Sequence, residues 1–214
     1  MTHSTEWYWI GLLLLGAFHG INPGMGWLFA VALGMQERSR SAVWKALLPL
    51  GLGHVLAVAA AVILAALAGT LLPLRTLQWV VAGILLAFGV LRMVRHRHPR
   101  WVGMRVGARD LTVWSFLMAS AHGAGLMVLP IYVGLAASSA HAHMHHSSMQ
   151  GSGDPMTAIL VTLVHTAGYL AVSTAVALVV FEKLGVGLLR KAWVNLDLIW
   201  AGSLAATGVA TLAW

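Results

Sequence analysis

Four histidines lie well inside apolar segments: His19, His54, His122 and His165. An imidazole in a lipid-facing segment is costly and is normally turned toward a protein interior or a pore. Their places are paired. His19 and His122 are each followed by glycine, and His54 and His165 each fall in the next long apolar run. Neutral imidazole nitrogen is a ligand for Zn, Ni, Co, Cu or Fe, and metal and proton compete for the same lone pair. The expected chemistry is therefore reversible binding of a transition-metal cation, weakening as the pH falls through about 6 to 7. The chain contains no cysteine, which excludes thiolate ligands, disulfides and dithiol relays. Further donors have to come from His, Met, Asp, Glu, Asn or the backbone.

The neighbours of these histidines carry the same message. Gly16, Gly20, Pro23, Gly24 and Gly26 surround His19 and Asn22, a density of helix breakers that predicts an interrupted helix. Its freed carbonyls, with an imidazole and the Asn22 amide, would offer ligands to a cation. His122 repeats the pattern more weakly, with Gly123, Gly125 and Pro130, and adds Met118 and Met127. His54 follows Gly51 and Gly53, while His165 is flanked by Thr162, Thr166 and Tyr169. Asp197 is a candidate intramembrane carboxylate for proton coupling or an ordinary helix-end charge, with Asn195 a weaker companion. A separate tract, His141, His143, Met144, His145 and His146 with Met149 beyond, alternates imidazole and thioether and suits copper, nickel or zinc. It serves capture, buffering of exported ions, or nothing beyond solvation. His96 and His98, in a basic loop, are read as surface residues.

These side chains need elements to hold them, and composition names the environment. Of 214 residues 59% are hydrophobic and 9% charged, too apolar a balance for a soluble core. The expected fold class is all-α, a polytopic membrane protein. Six stretches approach the roughly 20 residues that cross a bilayer: 7–33, 46–68, 77–93, 112–137, 156–181 and 193–213. The first has no preceding basic residue and no clear cleavage site, so it is taken as a span and not a signal peptide. The net charge of +7 sits in short loops: Arg38, Arg40 and Lys45; Arg92, Arg95, Arg97, Arg100, Arg105 and Arg109; Lys183, Arg190 and Lys191. Clustered there, it sets topology and is no sign of nucleic-acid binding. By the positive-inside rule those loops are cytoplasmic, both termini face out, and the His/Met tract is outward. The expected location is a bacterial inner membrane.

Repetition supplies the architecture. Ala82-Gly83 and Gly89-Val90 in the third stretch match Ala201-Gly202 and Gly208-Val209 in the sixth. With the paired histidines, this predicts two three-helix repeats, 1–110 and 111–214, the second including the outward loop 138–155. Units of three spans must insert in opposite directions, an arrangement that places a site near the midplane. Small residues at such spacings also serve ordinary helix packing.

With its six spans in two repeats and the run His19-Gly20-Ile21-Asn22-Pro23-Gly24, the chain resembles the superfamily of lysine exporters, nickel/cobalt exporters and DsbD-type membrane proteins. The resemblance implies a small substrate moved by alternating access between opposed repeats. The chain departs from those relatives in lacking the cysteines of the thiol relay and the acidic residues that accompany histidine in the first helix of nickel/cobalt transporters. The functional expectation is a transporter of a transition-metal cation more than an enzyme, with His19, Asn22, His54, His122 and His165 as ligands. Two alternatives stand beside it: a haem- or metal-binding membrane protein with paired axial histidines, and an amino-acid or small-solute exporter.

Overall fold

The computed structural model describes residues 3–94, 107–142, 155–184 and 201–211. Among them the secondary structure is entirely helical. Helix α1 spans His3–Ile21, a short 3₁₀ turn Pro23–Met25, α2 Trp27–Gln36, α3 Arg40–Leu71 and α4 Leu74–Val94. There follow α5 Ala108–Ala121, α6 Ala124–Ala142 and α7 Pro155–Val179, which runs on through a wider π-type turn, Val180–Leu184. Residues 201–211 are helical as well.

Two of the expected spans are broken, each close to its His-Gly pair. After α1 the chain turns extended at Asn22, whose side chain caps the short turn by accepting from the Gly24 N–H at 2.9 Å. Pro23 at the first position lacks the N–H that would otherwise be orphaned there. Gly26 then takes a left-handed φ of 111° before α2 starts, a conformation that costs a residue with a Cβ. In the second half the break falls on His122-Gly123, Gly123 at φ 73°, and the axes on either side diverge by 61°. Arg40–Leu71 and Pro155–Lys183 are each long and apolar enough to cross a membrane, and the bent pair α5/α6 makes a third.

Packing is closest between helices from different halves of the chain. α1 lies mainly on α7, α3 on α5, and α3 on α7 between them. Glycines set these distances. A methyl on Gly16 would meet the His165 carbonyl, and one on Gly168 the Leu13 carbonyl, so α1 and α7 touch backbone to backbone. Gly53 does the same against Thr112 and Phe116 of α5. Gly89 rests on the backbone of Ala201 and Ala205, while Gly208 rests on Ala82 and Leu86. That contact is reciprocal: the third and sixth stretches present the same motif to each other. Gly83 and Gly202, its other members, meet nothing within 4 Å among the described residues.

Two apolar clusters fill the interior. One joins Leu12, Ala57, Val58, Val128, Tyr132 and Val161, and the other joins Trp27, Val31, Val43, Leu50 and Ala177. The outward faces are apolar too, with Trp7, Leu14, Leu48, Leu64 and Leu71 each more than 60% exposed.

Candidate metal centre

The lengthwise order of the two apolar clusters leaves a polar layer between them. On α1 and the following turn, His19 lies between Leu12 and Trp27. On α3, His54 lies between Leu50 and Ala57, and on α7, His165 between Val161 and Ala177. All three imidazoles are fully buried. Their ring centroids stand 5.0 Å apart for His19 and His165, 5.4 Å for His54 and His165, and 5.9 Å for His19 and His54. Three elements far apart in sequence thus deliver one imidazole each to a single spot.

The rings are held in different ways. His19 donates from Nδ1 to the Leu15 carbonyl one turn back, at 2.9 Å, which leaves its lone pair on Nε2. That is how metal-binding histidines are commonly oriented, with the second nitrogen fixed by a carbonyl. His54 is held by stacking, 3.9 Å from the Tyr169 ring at 10° and nearly parallel to His165 at 15°. Neither ring nitrogen of His54 or His165 has a hydrogen-bond partner among the described residues; the Leu12 carbonyl lies beside His165 but outside bonding geometry. A buried polar group left so costs about 1–3 kcal/mol, and such groups in native folds call for an explanation.

Stacking also explains why these residues do not yet form a coordination sphere. Among the described residues, no group of three or more His, Asp or Glu side chains is placed to hold a metal ion directly. Imidazole lone pairs lie in the ring plane, so rings nearly parallel aim theirs along parallel planes instead of at one point. Convergence requires His54 to turn out of its stack.

His122, expected as a further ligand, lies at the second helix break. It is buried and donates from Nδ1 to the Met118 carbonyl at 2.9 Å, the same arrangement as His19, and lies within electrostatic reach of His19. Its ring edge also lies near Gly24: a methyl on Gly24 would be 3.7 Å from His122 Cε1 and 3.2 Å from Asn22 Oδ1. Asn22 is likewise buried, and its Nδ2 has no partner among the described residues.

Carbonyls around the first break accept hydrogen bonds from within the protein. Trp27 Nε1 donates to Ile21 at 3.1 Å, Ser173 Oγ to Gly20 at 3.2 Å and Tyr169 OH to Met25 at 2.8 Å. The Asn22, Met25 and Gly26 N–H groups serve the carbonyls of His19, Asn22 and Pro23. Buried backbone groups are nearly always paired, and a carbonyl that accepts one hydrogen bond keeps a second lone pair.

Tyr169, Thr166 and Ser173 belong to the centre more fully than the sequence reading allowed. Thr162, His165, Thr166, Tyr169 and Ser173 are all buried on one face of α7, at the i, i+3, i+4, i+7, i+11 spacing of a helical stripe. That polar stripe in an apolar helix was a signal available in the sequence. Thr162, like Thr112, Thr207 and Thr211, bonds back to the carbonyl four residues earlier; Thr166 does not, and its hydroxyl has no partner among the described residues. His143, Met144, His145 and His146 of the outward tract, and Asn195, Asp197, His96 and His98, lie outside the described residues; His141 falls in the last turn of α6, its side chain not described. Comparison with protein-family models, with curated proteins and with solved structures finds no match, so the reading of this centre rests on its own geometry.

Proposed function

We propose that the protein is a multi-pass membrane carrier of a transition-metal cation in a bacterial inner membrane. In this reading two opposed three-helix repeats enclose a central station formed by His19, His54 and His165. The observation that carries it is the burial of three imidazoles from three elements, centroids within 5.9 Å of each other, with both ring nitrogens of His54 and of His165 unserved among the described residues. Apolar clusters close the layer toward both ends, which is what an occluded intermediate of alternating access requires. The metal is cargo, bound when His54 leaves the Tyr169 stack and released as protons compete for the same nitrogens.

The membrane and repeat parts of the reading draw on other observations. Exposed leucine and tryptophan on the outward faces would be an aggregation hazard in water and are ordinary against lipid. Arg40 and Glu182 pair at 3.1 Å, so the start of α3 and the end of α7, both beside basic runs, lie at one end of the bundle, which supports a common cytoplasmic side for them. Reciprocal packing of Gly89 and Gly208, and the matching of α1 on α7 with α5 on α3, are what a two-fold axis in the membrane plane produces. This is the plan expected of the lysine-exporter, nickel/cobalt-exporter and DsbD-type superfamily. A haem reading gains nothing from rings packed edge and face against each other, with no gap between them for a porphyrin.

The test is Co²⁺ binding to full-length protein in lipid nanodiscs, with the outward tract neutralised by His141→Ala, His143→Ala, His145→Ala, His146→Ala, Met144→Leu and Met149→Leu. About one equivalent of bound Co²⁺ with the visible bands of a nitrogen-rich site is expected, lost in His54→Ala and in His165→Ala. Absence of binding, or binding indifferent to both substitutions, sinks the triad and leaves the small-solute carrier as the next hypothesis.

A further inference from the structure

We infer that Tyr169 is a positioning residue of the triad: its ring competes with the cation for His54, and its hydroxyl makes that competition depend on the first helix break. This regulation rests on the carrier reading above. The His54 ring lies 3.9 Å from that of Tyr169 at 10° and 5.4 Å from that of His165 at 15°, and all three are buried. Imidazole lone pairs lie in the ring plane, so the orientation that the stack favours is one in which His54 cannot point at a centre shared with His19 and His165. A cation that gathers the three imidazoles has to take His54 from its aromatic partner. Its apparent affinity is therefore reduced by the population of the stacked state.

A bond to the backbone break keeps the Tyr169 ring in place. Its hydroxyl donates at 2.8 Å to the carbonyl of Met25, the last residue of the short turn between α1 and α2. The Ser115 and Ser173 hydroxyls, from α5 and α7, lie beside it. Each gives its own proton to a carbonyl, Ser115 to Leu50 at 2.6 Å and Ser173 to Gly20 at 3.2 Å, and keeps acceptor lone pairs. A Tyr169 O–H that lets go of Met25 thus has other acceptors at hand, and the buried hydroxyl is served in either position. With Met25 in reach the ring stands over His54. When Met25 withdraws, the hydroxyl turns to a serine, the ring slides with it and His54 is released to the metal. By linkage, a cation that takes His54 loosens the turn to the same degree.

Co²⁺ binding to the full-length, tract-substituted protein in nanodiscs is compared with that of Tyr169→Leu and Tyr169→Phe in the same background. Tyr169→Leu is expected to bind about two- to tenfold more tightly, the share of affinity that one aromatic stack withholds, and damage to packing alone does not produce such a gain. His54-dependent binding that Tyr169→Leu leaves unchanged or weakens overturns the competition while the triad stands. Co²⁺ binding by neither protein removes the triad, and this regulation with it. A second measurement does not depend on a variant folding: nuclear Overhauser contacts between the His54 and Tyr169 rings are expected in the metal-free protein and lost with Zn²⁺, and their persistence at saturation overturns the proposal. Amide exchange over residues 22–28 reads the link to the break. Co²⁺ is expected to speed it in the tract-substituted protein and not in Tyr169→Phe, which keeps the ring and lacks the anchor; an equal response in both, or none in either, overturns the role of the hydroxyl.

Discussion

Tyr169 ties the polar layer to the backbone break. Its ring covers His54 and its hydroxyl serves the Met25 carbonyl, so removing the hydroxyl alone leaves a buried acceptor unserved. Tyr169→Phe is expected to lower stability by about 1–3 kcal/mol, read by denaturant titration in mixed micelles, with the His54 stack intact. Tyr169→Leu should cost more, because ring burial and stacking go as well. Equal stability of Tyr169→Phe and the parent protein would mean that water or another donor serves Met25. Thr166, by contrast, has nothing within the described protein to lose; Thr166→Val is expected to hold or raise stability by about 1 kcal/mol while impairing cation binding. Unchanged binding would place the hydroxyl outside the route.

Helices here are positioned by close backbone approach, not by side-chain charge. Gly16 and Gly168 let α1 and α7 meet carbonyl to Cα, and the shared register brings His19 to His165. Gly168→Ala forces those backbones apart and is expected to cost about 1–3 kcal/mol or more. It should also abolish Co²⁺ binding by spreading the imidazoles; a folded, fully metal-binding variant would contradict that coupling. Gly26 faces a double constraint, a left-handed φ and the Leu50 side chain against its Cα, so Gly26→Ala is expected to be among the least stable single variants. The Arg40–Glu182 pair marks the opposite extreme. With side chains 61% and 40% exposed, Arg40→Ala should change stability by no more than about 1 kcal/mol.

The proposed membrane topology can be checked by labelling, since a chain without cysteine accepts single reporters cleanly. Glu37 and Lys183 are exposed near the Arg40–Glu182 end, and Leu72 is exposed at the far end of α3. With basic loops inside, Glu37→Cys and Lys183→Cys are expected to react with membrane-impermeant maleimide only in inverted vesicles, and Leu72→Cys only in intact spheroplasts. Labelling of Glu37→Cys and Leu72→Cys from one side would exclude α3 as a complete span.

Much of this architecture is written locally. Apolar run length reports helices, the Gly/Pro density around His19-Gly20 and the glycine after His122 report breaks, and absent cysteine confines the ligand chemistry. The matched motifs at Ala82–Val90 and Ala201–Val209 even foreshadow the reciprocal Gly89 and Gly208 contact. Periodicity, however, describes one helix at a time. Which imidazoles meet depends on the crossings of α1, α3, α5 and α7, fixed by backbone contacts between distant glycines and carbonyls. Nor could spacing foretell which donors serve the break's carbonyls, since two of them, Tyr169 and Ser173, lie 144 and 153 positions away from their acceptors. The place of His122 is tertiary for the same reason: its own helix bends by 61° at that residue, beside Gly24.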